Sequence, residues 1–145
     1  MTFKVLVMGL SGAGKTTLAN KLEEHLKTTY TITRINADEI RSKYNDWDFT
    51  ITGRLRQAER CKLLAKQSNN DIVICDFIAP IHQSIDIFEP NYIIWLNTVS
   101  ESQYKDTDQL FENPTKVDKI ITNYSDIDLD ELYTEIGDCL GAIAK

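Results

Sequence analysis

Gly9-Leu10-Ser11-Gly12-Ala13-Gly14-Lys15-Thr16-Thr17 follows the apolar run Phe3–Met8 and precedes Leu18, Leu22 and Leu26, which recur at helical spacing. Strand, glycine-rich turn and helix in that order are the context that the pattern G-x-x-x-x-G-K-[ST] requires. The glycines let the backbone curl so that successive N–H groups turn toward phosphate oxygens, at the positive end of the following helix. Lys15 is then placed to reach the β- and γ-phosphates, and the Thr16 hydroxyl to ligate magnesium. The stretch implies a bound nucleoside triphosphate with magnesium. A chance glycine-rich turn is the plain alternative, and it leaves the flanking strand and helix unexplained.

Outward from that loop, strand and helix patterns alternate with no repeat, linker or low-complexity segment. The spacing predicts a helix over 15–27, a strand over 30–35 and a longer helix over 51–67 with Leu55, Ala58, Leu64 and Ala65 inward. An unbroken apolar run over 71–76, bracketed by acids, reads as a central parallel strand. Pro80 suits the first turn of a helix carrying Ile81, Ile85 and Phe88; residues 91–96 form another core strand. Ser100 with Gln103 resembles a capping box opening a short helix, and 119–122 is a fifth strand. Asp128 with Glu131 caps a last helix whose Leu129, Leu132, Tyr133, Ile136, Leu140 and Ile143 form one apolar stripe, read as core packing. Right-handed crossovers then give an α/β fold of the three-layer P-loop kinase kind, a five-stranded parallel sheet with helices on both faces. Residues 1–145 are expected to form a single domain, with functional side chains at the carboxyl edge of the sheet.

Composition limits the partners. The chain has 145 residues, 42% apolar and 26% charged, which fits a globular domain and excludes a disordered one. The net charge of −6, with no basic run, argues against a nucleic-acid surface and leaves a small-molecule substrate. Cys61, Cys75 and Cys139 are odd in number and lack a C-x-x-C pair, so three buried thiols in a reducing, cytoplasmic setting are expected. A strand beginning at residue 3 leaves no room for a signal peptide, and no apolar stretch reaches membrane-spanning length. A homodimer stays open.

Candidate chemistry follows the strand ends. Asp38 and Arg41 lie three apart at a helix start; Asp38 suits a base for an incoming hydroxyl or a holder of metal-bound water, and Arg41 an anion grip. The alternative is a capping acid and a solvated cation. Phe49, Arg54 and Gln57 suit an anion clamp beside an aromatic shelf, or else a core ring and a surface charge. Asp76 ends the third strand, where it is either a magnesium anchor or a turn residue. Lys105 sits in a polar stretch, 101–113, that reads as a lid over the nucleotide or as a solvated loop. No arginine follows Arg60, so this lid offers no arginine finger. His82 reads as a surface or packed residue, and His25, on the first helix, as structural.

Gly9 to Thr17 is similar to the G-L-S-G-[SA]-G-K-[ST]-T loop of adenylylsulfate kinases. The order of Asp38 and Arg41, then Phe49 and Arg54, then Phe77-Ile78-Ala79-Pro80 also resembles that family, over about residues 3 to 97. The resemblance implies transfer of the ATP γ-phosphate to the 3′-hydroxyl of adenylylsulfate, with magnesium. It puts Asp38 near the acceptor hydroxyl, Arg41 and Arg54 on the phosphosulfate, and Phe49 and Ile78 near the adenine. Gln57 stands where the family usually has Asn. The family's D-G-D is Asn36-Ala37-Asp38 here, the Ser of F-I-S-P is Ala79, the Arg shortly after that Pro is replaced around His82, Asp76 is an extra acid, and the lid is short. A kinase for another small hydroxylated metabolite or nucleotide, and a non-catalytic nucleotide sensor, remain the rivals.

Overall fold

The computed structural model describes residues 2–144. Its elements run β1 (Phe3–Met8), α1 (Lys15–Leu26), β2 (Ile32–Asn36), α2 (Ala37–Tyr44), α3 (Ile51–Lys66), β3 (Ile72–Asp76), α4 (His82–Phe88), β4 (Tyr92–Leu96), α5 (Lys105–Leu110), β5 (Lys119–Ile121) and α6 (Leu129–Ala144). The five strands form one sheet in the order β2-β3-β1-β4-β5, and every adjacent pair is parallel. Alternation along β1 explains the three layers. Phe3, Val5 and Val7 pack with Leu18, Leu22, Leu132 and Ile136 of α1 and α6. Leu6 and Met8 pack on the other face with Ile40, Ala58, Cys61 and Phe88 of α2, α3 and α4.

Local chemistry sets the element ends. Asn36 caps α2 by accepting from Glu39 N at 3.0 Å, and Thr50 caps α3 by accepting from Gly53 N at 3.2 Å. The expected Asp128 cap of α6 is present, with Glu131 N donating to Asp128 Oδ1 at 3.1 Å.

Several expected boundaries move. Tyr30 N still donates to Leu26 O at 2.9 Å, so that residue closes the turn after α1 and β2 starts at Ile32. Pro80 lies before the cap of α4 instead of in its first turn; its carbonyl is taken by Glu112 N at 2.6 Å, which holds it in the preceding loop. Ser100 and Gln103 do not cap α5. Ser102 engages Asp108 instead, its N at 2.7 Å and its Oγ at 2.6 Å from the carboxylate oxygens. On α3, Arg54 and Gln57 are buried whereas Leu55 and Leu64 are half-buried, because the helix turns its polar pair toward a cavity. Ile143 is exposed at the end of the α6 stripe; all three cysteines are free, Cys61 and Cys75 buried and Cys139, against expectation, half-buried. Among the described residues no helix is long and apolar enough to cross a membrane.

Candidate functional site

The loop between β1 and α1 is closed and tied to its surroundings. Gly9 takes φ +153°, and a Cβ there would lie 2.5 Å from the Leu96 carbonyl, so only glycine lets the loop pass the end of β4. Gly14, at φ +100°, starts α1 in the left-handed region, and a Cβ there would meet the Tyr124 ring at 2.7 Å. Ala13 N donates to Leu10 O at 3.1 Å, and Thr98 Oγ1 donates to Ala13 O at 2.8 Å. Lys15 folds back over this turn, its Nζ 2.9 Å from Leu10 O. Burial pushes its ammonium down to about 8, against the opposing pull of the Asp38 and Asp76 charges.

Beside the loop, the ends of β2 and β3 supply a polar cluster. Asp76 is buried at the end of β3, in register with Val7 of β1 on one side and Asn36 of β2 on the other. Its Oδ2 accepts from Thr16 Oγ1 at 2.9 Å and from Asn36 Nδ2 at 2.8 Å; its Oδ1 accepts from Arg34 Nη2 at 2.8 Å. A threonine hydroxyl backed by a carboxylate is a hard oxygen donor set, which fits magnesium and not a soft metal. Thr16 would ligate the ion, with Asp76 behind it.

A cavity of about 780 Å³ is lined by residues of this cluster and of α3 and α5. Ser11, Gly12, Gly14, Lys15, Thr16 and Thr17 line it, together with Asp38, Arg41, Phe49, Arg54, Gln57 and Ile78. Asp38 is exposed in the first turn of α2. Arg41 and Arg54 are buried, and among the described residues neither is ion-paired. Arg41 Nη1 donates to the Asp46 and Asp48 carbonyls at 2.9 and 3.2 Å; Arg54 Nε donates to Phe49 O at 2.8 Å. Both guanidinium groups lie over the Phe49 ring, 4.5 and 5.4 Å from its centroid. Burial lowers both pKa values, and for Arg54 the Arg41 charge adds to the effect. Gln57 Nε2 donates to Ala37 O at 2.7 Å, while its buried Oε1 has no partner among the described residues.

The segment read as a lid closes one side of the cavity. Gln103, Tyr104, Lys105, Asp106 and Thr107 line it, with Lys105 exposed at the start of α5. The segment is docked. Arg54 Nη2 donates to the buried Thr107 Oγ1 at 2.9 Å, and Phe111 stacks on Trp95 with ring centroids 6.4 Å apart. Glu112 N reaches Pro80 O, and Glu112 Oε1 accepts from His82 N at 2.7 Å.

The structure thus gathers the expected residues into one cavity, except Gly9, Leu10 and Ala13, which shape the loop from behind. His82 bonds to Asn113 O and His25 pairs with Asp130, and neither lines the cavity. Arg34, Thr107 and Tyr124 escaped sequence reasoning because each acts on a residue far along the chain. The ties of the 45–50 loop escaped it too: Asp46 accepts from Arg56 at 2.7 Å and from Arg60 at 2.6 Å, and holds the segment bearing Trp47 and Phe49. One signal was legible, two arginines one helical turn apart following two acids.

The family model described as adenylylsulphate kinase matches residues 1–89. An adenylyl-sulfate kinase of Halothermothrix orenii is 39% identical over 80 residues, 52% of this chain and 43% of that protein. The chain therefore spans less than half the length of the curated relatives it matches. Over 97% of this chain and 98% of the other, the fold is similar to the APS kinase CysC of Mycobacterium tuberculosis in complex with AMPPNP and APS, at a TM-score of 0.70 and 19% identity. A gluconokinase from Sinorhizobium meliloti has a TM-score of 0.60 at 18% identity, over 98% of this chain and 93% of that one. At such identities the likeness speaks for the fold alone.

Proposed function

The chain belongs to the adenylylsulphate kinase family, and from that premise we propose that it is an ATP- and magnesium-dependent phosphotransferase acting on a hydroxyl of a small anionic substrate, with adenylylsulfate as the leading acceptor. One observation carries this. A single cavity is lined both by the loop's Lys15 and Thr16 and by two buried guanidinium groups without ion-pair partners, with the exposed carboxylate of Asp38 also on its wall. Two buried cations without an ion-pair partner favour an anionic ligand.

In this proposal residues 9–17 cradle the phosphates, and Lys15 stabilises the charge that gathers on the transferred group. Magnesium, when bound, shares the β- and γ-phosphate charge. Thr16 holds the metal side of the site, with Asp76 orienting its hydroxyl. Asp38 orients the acceptor hydroxyl and takes its proton, while Arg41 and Arg54 fix the acceptor's anionic group. Phe49 and Ile78 flank its base. Residues 101–113 exclude water, and Lys105 brings a further positive charge from that side. The chain is taken as a single domain acting in the cytoplasm, in keeping with three free thiols.

One feature admits a second acceptor class. The unpartnered Gln57 Oε1 asks for an N–H or O–H donor, which an adenine amine or a sugar hydroxyl supplies equally. The test is phosphoryl transfer from labelled ATP to a panel of adenylylsulfate, nucleosides, shikimate and sugar acids. Transfer to adenylylsulfate is expected, and Lys15→Ala should abolish it while thermal unfolding stays cooperative. A Lys15→Ala protein with wild-type turnover refutes the mechanism; ATP binding with no acceptor turned over selects a sensor.

A further inference from the structure

Two departures from the family pattern, the amide at Asn36 and the extra acid at Asp76, are direct register partners on β2 and β3, with Asn36 Nδ2 2.8 Å from Asp76 Oδ2. Arg34, two residues before Asn36 and on the same face of β2, is the group that accompanies them. Its Nη2 binds Asp76 Oδ1 at 2.8 Å, and its Nη1 reaches Asn20 Oδ1 at 2.7 Å and Glu23 Oε1 at 3.3 Å on α1. The guanidinium therefore bridges the phosphate-loop helix and the buried acid. Its Nε is buried without a partner among the described residues, so the group is placed for Asp76 at the expense of its own saturation.

We propose that Arg34 is a positioning residue of the metal–phosphate end: it neutralises Asp76 and confines that carboxylate to orienting the Thr16 hydroxyl. The bonding pattern supports this division of labour. Three donors already occupy Asp76, and the ion pair is internal, with side chains 17% and 1% exposed. Thr16 gives its one O–H to Asp76 and accepts from Asn36 Nδ2 at 3.3 Å, which leaves one oxygen lone pair for a cation. Stripped of Arg34, the buried carboxylate would act as a bare negative charge beside the polyphosphate, repelling the metal-free nucleotide and drawing the metal toward itself.

The inference rests on the nucleotide reading above, and calorimetric titration of ATP with and without magnesium separates the two. If the wild type binds no nucleotide in magnesium, that reading fails. If it binds, Arg34→Met should weaken metal-free binding about tenfold and raise the magnesium enhancement of affinity by a similar factor. Arg34→Lys should stay near wild type, and adding Asp76→Asn to Arg34→Met should cancel the rise. A folded Arg34→Met with an unchanged enhancement overturns the proposal and leaves Arg34 a structural tie. Should Arg34→Met not fold, Asp76→Asn alone decides: tighter metal-free binding with a smaller magnesium effect supports the proposal, and weaker metal-free binding overturns it.

Discussion

Lys15 is held in a state that phosphate would change. Its depressed pKa means the folded chain binds fewer protons than the unfolded chain between about 8 and the ordinary 10.5. Burying the charged ammonium therefore costs stability below pH 8, and the cost is relieved as pH rises through that window. A bound polyphosphate reverses the balance by favouring the charged form. Nucleotide binding at pH 8 should then take up about half a proton, seen as a dependence of calorimetric enthalpy on buffer ionisation. Lys15→Met should remove the uptake. A second residue stores strain: Ala79 takes φ +49° immediately before Pro80 and lines the cavity. Ala79→Gly should stabilise the protein by about 0.5–1 kcal/mol in denaturant titration, because glycine adopts that conformation without a Cβ clash.

At the scale of elements, α3 carries Arg54 and Gln57, and its first turn is fitted to the loop before it. Thr50 caps the helix and also bonds Asp48, its Oγ1 2.6 Å from Asp48 Oδ1. Gly53 sits so close to this loop that a Cβ would lie 2.2 Å from Asp48 O. Helix propensity alone makes Gly→Ala favourable by about 0.8–1 kcal/mol. Here the sign should reverse, with Gly53→Ala destabilising by about 2 kcal/mol or more as the loop bearing Phe49 is pushed away. Weakened acceptor binding should accompany the lower stability, measured as a raised KM. Unchanged stability in denaturant titration would refute the close packing of α3 on the 45–50 loop.

Across the whole molecule, the cavity depends on ties between distant elements. Residues 101–113 dock through Arg54 to Thr107, Phe111 on Trp95 and Glu112 to Pro80. Thr107→Val keeps the shape and removes the acceptor from a buried guanidinium, which should cost about 1–3 kcal/mol. Hydrogen exchange should rise first in α5, since the docked segment would open before the sheet does. Uniform exchange changes across the sheet would mean that Thr107 serves the core and not the lid.

The strand–loop–helix order, the cap of α6 and the parallel α/β architecture were all legible in the residues, because each depends on neighbours within a turn or on a short period of apolar positions. So were Lys15, Thr16, Asp38, Arg41, Arg54 and Asp76 as candidates, since strand ends are where such a sheet gathers its polar groups. The register that makes Asn36 and Asp76 partners, and the pairing of Arg34 with an acid 42 positions away, were decided only by the packed sheet. So was the bond from Arg54 to Thr107, across 53 positions. Local preferences are written in adjacent side chains, whereas a buried charge finds its partner only after the core has brought remote strands and helices together.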